Sequence, residues 1–330
     1  MKSLRIAAAL SCAASVSVSV SAAAPPPGLS VESLAVLRAI DLRLATIGYR
    51  LATANAALCR DRVPATGAAI HAITQYDRPT QPAARRAFGF ATPVAIEAVV
   101  AGSAAAQAGL RADDGLVAVG GQVLRGDAAA PSVADRDAAL AAIAATGSPV
   151  RLDVLRDGRQ EEVTVAAPPG CAAVFEVVLG PEMTADSDGR VVRIGVRFFE
   201  RYGDDEVAVV VAHELSHLIL RHRIRLAAAG VKSGLLGEIG RNARLSQRAE
   251  DEADRLGVTL LYNAGYDPAS AARFWQAHGA AIDGGFFRSR THPATRRRIA
   301  AVAAEAATLA ARPPRPWLPP VLSARDEPLR

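Results

Sequence analysis

Apolar residues occupy almost every position of a helix placed over residues 207–220. A helix that is apolar on all sides is buried on all sides. Before it, Gly203-Asp204-Asp205 offers a chain break and two carboxylates suited to an N-cap, and Glu206 places negative charge where the helix dipole favours it. The pattern therefore predicts one buried helix that begins after this break.

Three other regions show regular patterns. Residues 30–58 are rich in Leu and Ala, which predicts a helical stretch too short for a domain and expected to pack on a larger core. Residues 135–145 form an Ala-rich run typical of a helix. Residues 150–155 and 162–165 alternate as strands do, and Asp157-Gly158 between them is a strong hairpin signal.

Length and charge narrow the possible classes. The chain has 330 residues, enough for about two domains of ordinary size. Its formal charge of +5 includes Lys2 and Arg5 and falls to +3 without them. So small an excess is typical of solvated helix faces rather than of a polyanion-binding surface. We therefore expect no nucleic-acid partner.

The beginning of the sequence resembles an export signal. Lys2 and Arg5 give a basic start, a stretch of small apolar residues follows, and Ala22-Ala23-Ala24 precedes three prolines. This order predicts a signal peptide over residues 1–24 and a periplasmic or otherwise exported protein. Two alternatives stay open: the signal remains as an anchor, or Cys12 is lipidated. Only in those cases do we expect membrane association.

Two cysteines remain after removal of the signal, Cys59 and Cys171. An even number in an exported chain favours a disulfide between them. The alternative is a pair of buried free thiols. A disulfide would clamp the two ends of the segment that lies between them.

His213-Glu214-Leu215-Ser216-His217 reads H-E-x-x-H within the predicted buried helix. Positions i and i+4 share one face of a helix, so both imidazoles can bind one metal ion. The glutamate between them is placed to act as general base on a metal-bound water, which is the chemistry of zinc hydrolases. The alternative is a helix whose histidines have no role in metal binding.

The third protein ligand of a catalytic zinc has to come from elsewhere. Metzincins supply a third histidine six residues after the second, but Arg223 stands there, and Leu220 replaces the glycine of that pattern. His222 lies five residues after His217, which on a continuous helix is about 140° further round the axis. We therefore expect His222 to face solvent within a basic run.

A carboxylate on a later helix is the remaining candidate. Glu250 and Asp254 are four residues apart and share one helical face. One can bind zinc while the other orients a ligand imidazole through its free N–H. Asp251 and Glu252 point away from that face and are expected to face solvent. The alternative is that the whole acidic cluster is a solvated helix face.

H-E-L-S-H followed by E-D-E-A-D resembles the HtpX and BepA type of gluzincin, peptidase family 48 of clan MA. The resemblance extends over most of the second half of the chain. It implies that His213, His217 and Glu250 bind one zinc ion. It further implies that Glu214 is the general base and that Asp254 orients a ligand.

A further element of that family is a His-Pro loop followed by an Arg-Ile pair, which T-H-P-A-T-R-R-R-I at residues 291–299 matches. In relatives this histidine lies near the metal and can occupy its open position. The resemblance implies that His292 gates access to the metal and that Arg298 is structural or stabilises an oxyanion. The alternative for His292 is a turn residue before proline.

Residues 99–121 resemble bacterial PDZ domains, whose pattern is G-S-P-A-x-x-A-G-L-x-x-G-D-x-I-x-x-V-N-G. Ala104, Asp113 and Gly120 replace the Pro, Gly and Asn of that pattern. The resemblance implies a domain that binds peptide C-termini or extended segments by strand addition. The loop that would receive the peptide carboxylate consists of Phe88, Gly89 and Phe90. The alternative is a small mixed domain that only braces the peptidase.

The patterns predict an α+β fold, and the two resemblances imply a mostly helical zincin-type metallopeptidase domain with a small β-sheet and an inserted PDZ-like β-rich domain. The predicted divisions of the chain are a signal peptide at 1–24, an N-terminal helical part of the peptidase domain at 25–80, the PDZ-like domain at 81–168, the zinc metallopeptidase domain at 169–312 and a Pro-rich tail at 313–330. The tail is expected to be extended or loosely attached.

The predicted function is that of an exported metalloendopeptidase with one catalytic Zn²⁺. Its substrates are polypeptides such as misfolded envelope proteins, a class taken from the resemblance alone. One alternative is a PDZ-led peptide-binding or chaperone-like protein whose metal site is latent and gated by His292. Another is a zinc hydrolase of non-peptide bonds, which the PDZ-like insert disfavours.

Overall fold

The computed structural model describes residues 28–126, 131–231, 240–283 and 295–329. Within these ranges, one body consists of helices around a three-stranded sheet, and a second body is built on a six-stranded sheet. The predicted signal peptide at 1–24 lies outside the described residues. This mixture of helix and sheet agrees with the predicted α+β class.

Ten α-helices and eleven strands occur in the described part of the chain. The helices are α1 (Val31–Ala54), α2 (Gln81–Phe88), α3 (Ala104–Gln107), α4 (Ala134–Thr146), α5 (Val196–Arg201), α6 (Asp204–Ile219), α7 (His222–Ala228), α8 (Arg241–Asn263), α9 (Ser270–Asp283) and α10 (Thr295–Thr308). The strands are β1 (Arg62–Pro64), β2 (Ala68–Ala72), β3 (Val94–Val99), β4 (Gly115–Val119), β5 (Gln122–Val123), β6 (Val150–Arg156), β7 (Arg159–Val165), β8 (Pro169–Cys171), β9 (Val174–Val178), β10 (Ala185–Ser187) and β11 (Val191–Gly195). None of the helices in these ranges is both long and apolar enough to cross a membrane.

Helix α6 is the centre of the first body. Most of its side chains are buried, as the apolar pattern predicts, and it packs against α8, α9 and α1. Its N-cap is Gly203, which has an extended backbone, and not one of the aspartates. The Glu206 carboxylate accepts a hydrogen bond from the Gly203 N–H at 3.1 Å. Asp204 and Asp205 instead fill the first turn, where their charge still suits the helix dipole.

The small sheet lies beside α6 with the strand order β10-β11-β9. Strand β11 pairs parallel with β9 and antiparallel with β10, so β10 forms an edge of the described sheet. Helix α5 follows β11 directly and leads to α6. Helix α1 packs on both β9 and α6, which places the predicted N-terminal helix in the core of the first body.

The second body contains an antiparallel sheet with the strand order β2-β3-β4-β6-β7, and β5 pairs with β4. At the β6–β7 turn, Asp157 (φ 49°) and Gly158 (φ 76°) both have left-handed backbone, the conformation that the predicted tight hairpin requires. The sheet begins at Ala68 and so includes a strand ahead of residue 81. Helix α4 packs across this first strand.

Strands β1 and β8 pair antiparallel where the chain leaves the first body and returns to it. Next to them, Cys59 and Cys171 form a disulfide, with their Cα atoms 5.4 Å apart and both side chains buried. This pairing agrees with the expectation from the sequence. Both ends of the second body are therefore attached at one place.

Polar side chains join the two bodies. Arg136 on α4 donates to Glu176 on β9 at 2.6 Å. Nearby, Asp41 on α1 shares a hydrogen bond with Glu97 on β3. Burial raises the pKa of both carboxyl groups, and the charge of Glu97 raises that of Asp41 further. The pair therefore keeps a proton at pH values where two isolated carboxyl groups would be ionised.

The Pro-rich tail is bound to the first body, so the expectation of loose attachment is wrong. The Trp317 N–H donates to Asn263 Oδ1 at 2.8 Å, and a 3-10 helix spans Pro320–Asp326. The Asp326 carboxylate accepts a hydrogen bond from Arg221 at 2.8 Å. The prolines prevent a regular helix, but these polar contacts hold the segment against α8 and the end of α6.

Candidate metal centre

Three side chains from two helices meet at one point. His213 and His217 lie one turn apart on α6, and Glu250 faces them from α8. The two Nε2 atoms are 3.1 Å apart, and the Glu250 oxygens lie 3.3 Å from His213 Nε2 and 3.5 Å from His217 Nε2. Among the described residues, this is the one group of His, Cys, Asp and Glu side chains close enough to share a metal ion.

The spacing of these donor atoms fits a tetrahedral zinc ion. Zn–N and Zn–O bonds of about 2.0–2.2 Å place neighbouring donor atoms roughly 3.3–3.6 Å apart at tetrahedral angles. Here the two Nε2 atoms are 3.1 Å apart, Glu250 Oε2 lies 3.3 Å from His213 Nε2, and Glu250 Oε1 lies 3.5 Å from His217 Nε2. One donor atom from each residue lies within 4.8 Å of the other two. Two imidazoles and one carboxylate are also a donor set of catalytic zinc sites. The residues present therefore fit one zinc ion with three protein ligands.

The charges around the donor atoms favour a cation at the same point. Burial lowers the pKa of His213, but hydrogen bonds to Asp254 and Glu250 outweigh it and raise the pKa to about 10. His217 is equally buried, and burial lowers its pKa to about 3 despite the opposing charge of Glu250. One positive charge is thus held between two carboxylates, and a metal ion can replace that proton.

Asp254 and Arg298 fix the orientation of His213. Asp254 Oδ1 lies 3.0 Å from His213 Nδ1, the contact expected of a carboxylate that orients a ligand imidazole. Arg298 donates to this carboxylate at 2.6 and 2.8 Å, and its Nη2 lies 3.4 Å from His213 Nδ1. Burial raises the pKa of Asp254, but the charges of Arg298 and His213 outweigh burial and lower it to about 2.

Glu214 shares a cavity of about 230 Å³ with the three donor side chains. Its side chain is buried. The rest of the wall comes from β10, α5, α6, α9 and α10, through Ala185, Asp186, Ser187, Phe198, Val210, Phe274, Trp275 and Arg298. The base candidate, the candidate metal ligands and the edge strand of the described small sheet therefore border one cavity.

Trp275 belongs to this site, although no spacing or motif in the sequence predicts it. Its ring lies 3.6 Å from the guanidinium carbon of Arg298, a cation–π contact that adds to the hold on that side chain. The adjacent Phe274 also lines the cavity. The only signal in the sequence is the aromatic pair itself, and such a pair is as typical of a core as of a cavity wall.

His222 is buried and does not face solvent, so that prediction is wrong. Its Nδ1 lies 2.9 Å from His217 Nδ1, and its Nε2 lies 3.1 Å from Glu252 Oε2. The side chain of His222 does not continue the spiral of α6, because that helix ends at Ile219 and Arg221 adopts a left-handed conformation, with φ 55°. The chain then starts a new helix at His222 and turns that side chain back toward the site.

Glu252 is also turned inward, contrary to the expectation of a solvent-facing side chain. It accepts a hydrogen bond from Arg225 Nη1 at 2.7 Å. Burial raises its pKa, but hydrogen bonds from His222 and Arg225 outweigh burial and lower it to about 2. Asp251 is partly buried and pairs with Arg297. Both side chains are at least partly buried because α7 packs on α8 near Glu252 and α10 packs on α8 near Asp251.

The predicted peptide-binding loop of Phe88, Gly89 and Phe90 is not part of the metal centre. His292 lies outside the described residues. Phe88 and Phe90 are buried, and both rings contact His71. The N–H groups of Gly89 and Phe90 donate to carbonyl groups of the preceding helix, at 3.0 and 2.7 Å. This loop therefore uses its amides internally.

A larger cavity, of about 1230 Å³, lies between the two bodies. Edge strand β2 and helix α4 form one side, and β9 and the segment that follows α6 form the other. Ala141, Ile143 and Ala144 of α4 border it. The cavity is therefore bounded by an edge strand of the described six-stranded sheet and by a helix, and it shares no lining residue with the smaller cavity at the metal centre.

Comparison with known proteins connects this geometry to a family. The profile of Peptidase family M48 matches residues 239–306, the segment that carries Glu250, Asp254 and Arg298. The mitochondrial metalloendopeptidase OMA1 of Schizosaccharomyces pombe is 31% identical over 118 residues, which cover 29% of this chain and 35% of that protein.

Two bacterial proteins show a similar relationship. The Beta-barrel assembly-enhancing protease of Escherichia coli is 29% identical over 136 residues, 30% of this chain and 27% of the relative. The protein of the same name from Yersinia pestis is 29% identical over 116 residues, 27% of this chain and 24% of the relative. The chain thus matches about a quarter to a third of the length of these curated relatives.

Proposed function

The chain contains a domain of peptidase family M48, and from this premise we propose that it is an exported, zinc-dependent metalloendopeptidase. One observation carries the proposal: His213, His217 and Glu250 bring one donor atom each within 4.8 Å of one another, in the cavity that also holds Glu214. A ligand set with one free coordination position and an adjacent carboxylate is the arrangement that hydrolytic zinc enzymes use.

Each side chain has a defined part in the proposed reaction. Zinc, when bound, supplies Lewis acidity and lowers the pKa of water toward about 7. His213, His217 and Glu250 would hold the ion. The Glu214 carboxylate would accept a proton from the attacking water and deliver it to the nitrogen of the leaving amine. General acid–base transfer of this kind contributes roughly 10²- to 10⁴-fold to a rate.

Arg298 would act through the wall of the cavity. It holds Asp254 with two hydrogen bonds, and Asp254 in turn contacts His213. Its positive charge also borders the cavity, where it would stabilise an oxyanion on the scissile peptide. The arrangement supports both roles that the family resemblance implies for this arginine.

Polypeptide substrates are supported by the position of β10. This strand is the edge of the described small sheet, and Ala185, Asp186 and Ser187 line the cavity beside Glu214. An extended peptide can add to such an edge through main-chain hydrogen bonds, which are independent of side-chain identity. We propose that the substrate lies along β10 with its scissile bond at the metal. Misfolded envelope proteins are the proposed source of such segments.

The second body is proposed to be the PDZ-like domain and to hold peptide C-termini or extended segments. The support is the cavity of about 1230 Å³ that β2 and α4 border on one side, with β2 at the edge of the described six-stranded sheet. The 88–90 loop has buried rings and internally bonded amides, so the groove at β2 is a better receptor than the loop. The domain would deliver polypeptide to the peptidase body.

Export is proposed on two grounds. The first 24 residues have the order of a signal peptide, and Cys59 and Cys171 are joined, which suits an oxidising compartment. We propose a periplasmic or otherwise exported location. A relative named for the assembly of β-barrels is consistent with an envelope role. Membrane association would require an uncleaved signal or a lipid on Cys12.

A second candidate function is a peptide-binding or chaperone-like protein whose metal site stays latent behind His292. The size of the cavity that β2 and α4 border, about 1230 Å³, favours this second function. The two candidates differ in turnover and not in binding. Cleavage of unfolded polypeptide by the mature chain therefore decides between them.

The test measures zinc content and casein cleavage for the wild type, Glu214→Gln and His292→Ala. We expect one zinc per chain in all three, cleavage by the wild type, and a loss of at least about 100-fold in Glu214→Gln. Cleavage by His292→Ala but not by the wild type would indicate a gated peptidase. Zinc-loaded protein that cleaves nothing in either form would overturn the peptidase proposal, and equal cleavage by Glu214→Gln would overturn the mechanism.

A further inference from the structure

The two histidines of the metal centre have different partners on their far side. His213 Nδ1 faces the carboxylate of Asp254 at 3.0 Å. His217 Nδ1 faces another imidazole, with His222 Nδ1 at 2.9 Å. His222 and the donor atoms are on opposite sides of the His217 ring, since His217 Nε2 is the atom near Glu250. His222 therefore stands where a partner can set the proton on His217.

The hydrogen bonds fix one arrangement of protons. If His217 offers Nε2 to the metal, its Nδ1 carries the hydrogen and donates it, so His222 Nδ1 must accept. The hydrogen of His222 is then on Nε2, which lies 3.1 Å from Glu252 Oε2 and donates to that carboxylate. With one hydrogen on each of these two imidazoles and a hydrogen donated to Glu252, each contact has one donor and one acceptor only when His217 presents an unprotonated Nε2.

The far end of the sequence is anchored in the fold. Arg225 Nη1 donates to Glu252 Oε2 at 2.7 Å, and Arg225 Nε donates to the Glu327 carbonyl at 2.9 Å. His222 and Arg225 are 1% and 6% exposed, so water does not compete for these hydrogen bonds. The network therefore runs from the metal ligand through α7 and α8 to the C-terminal tail.

We propose that His222 is a positioning residue for zinc, which holds His217 in the ring orientation and tautomer that present Nε2 to the ion. Glu252 and Arg225 keep His222 in place. The inference rests on the proposed zinc site and extends it to a second partner, separate from Asp254. Partners that orient metal-binding histidines typically change metal affinity by about 10- to 100-fold when they are removed.

Two substitutions of His222 separate positioning from packing. His222→Leu fills the buried space but gives His217 Nδ1 no acceptor. His222→Asn places an amide oxygen near the former Nδ1 position and restores an acceptor. Glu252→Gln leaves His222 in place and weakens its anchor. Asn263→Leu is the matched control, because it removes a buried hydrogen-bonding side chain from the same helix α8 without contact to the ligands.

The experiment measures zinc affinity of the full-length mature chain by competition with a chelator, together with the visible spectrum of the cobalt-substituted protein. We expect His222→Leu to bind zinc about 10- to 100-fold more weakly with an altered cobalt spectrum. His222→Asn should recover most of the affinity, Glu252→Gln should show a smaller loss, and Asn263→Leu should bind as the wild type does.

The outcomes distinguish this inference from the proposed function. Wild-type zinc affinity in His222→Leu would overturn the positioning role and leave the metal site intact. If His222→Leu does not fold, unchanged zinc affinity and an unchanged cobalt spectrum in Glu252→Gln would overturn it equally. A wild-type chain that binds no zinc would overturn the metal site itself, and with it this inference.

Discussion

Arg298 on α10 holds Asp254 on α8 with two hydrogen bonds, from Nη2 at 2.6 Å and Nε at 2.8 Å. Both side chains are at most 4% exposed. The pair joins α10, the last long helix described in the first body, to the carboxylate that contacts His213. It therefore links the stability of the fold to the order of the metal centre.

Removal of Arg298 should destabilise the chain strongly. Arg298→Leu leaves the buried Asp254 carboxylate without its counter-charge, and such a change costs about 3–5 kcal/mol. Urea unfolding of the metal-free protein measures it. The adjacent Arg297 is 62% exposed, so Arg297→Leu should change the free energy of unfolding by less than about 1 kcal/mol. The double variant Asp254→Asn/Arg298→Leu should recover part of the loss, and strict additivity would contradict the proposed pairing.

The disulfide between Cys59 and Cys171 should contribute substantially to stability. It closes a segment with a sequence separation of 112 residues, for which restriction of the unfolded chain predicts about 4–5 kcal/mol, against about 2–5 kcal/mol lost when native disulfides are removed. Cys59→Ser/Cys171→Ser should therefore unfold at a lower denaturant concentration. Reductant should lower the wild type to the same midpoint and leave the variant unchanged. A reductant-insensitive wild type would show that the bond does not form in solution.

The carboxyl pair of Asp41 and Glu97 should make stability fall as the pH rises. Burial raises both pKa values in the folded chain, so the folded state retains a proton that the unfolded state releases. The associated stabilisation is complete at acidic pH and is lost as the pH rises through the raised pKa values. Glu176 adds negative charge to the pair, and Arg38 and Arg136 oppose it.

Asp41→Asn should flatten this pH dependence. Melting temperatures measured between about pH 5 and pH 9 should decline less in the variant than in the wild type, because the amide does not titrate. The exposed Asp61 gives a control, since Asp61→Asn should keep the wild-type slope. An identical slope in all three proteins would show that the pair is ionised in the folded state.

Filling the cavity beside β2 should weaken the proposed peptide binding. Ala141 lines this cavity on α4, and Ala145 on the same helix does not. In a Glu214→Gln background, which prevents cleavage, Ala141→Trp should weaken binding of fluorescein-labelled unfolded casein by at least about 10-fold, the effect of roughly 1.4 kcal/mol. Ala145→Trp should bind as the parent does. Equal binding by both variants would place the casein elsewhere.

Four-residue spacings predict which side chains share one face of a helix, because a regular helix turns spacing into direction. His213 and His217 on α6, and Glu250 and Asp254 on α8, lie as these spacings predict. His222 was misplaced because one left-handed residue, Arg221, ends that regularity. No periodicity encodes where a helix stops.

The same limit applies to the fold. The hairpin at Asp157-Gly158 followed from local turn chemistry. In contrast, β2 joins the six-stranded sheet by pairing with β3 although helix α2 lies between the two strands in the sequence. This pairing depends on tertiary contacts. Trp275 likewise reaches the cavity only because α9 packs against α6. Side chains brought together from distant elements leave no common pattern in the sequence.

The antiparallel clasp of β1 and β8 makes the second body an exchangeable unit. The Cα atoms of Cys59 and Cys171 are 5.4 Å apart, a gap that a single intervening residue spans because consecutive Cα atoms lie about 3.8 Å apart. Everything from α6 to α10, together with α1, belongs to the body on one side of that gap. A gene that lost or replaced the intervening segment would still encode α6, α8 and α10 with the three proposed metal ligands, so recombination can exchange the second body while these helices remain the same.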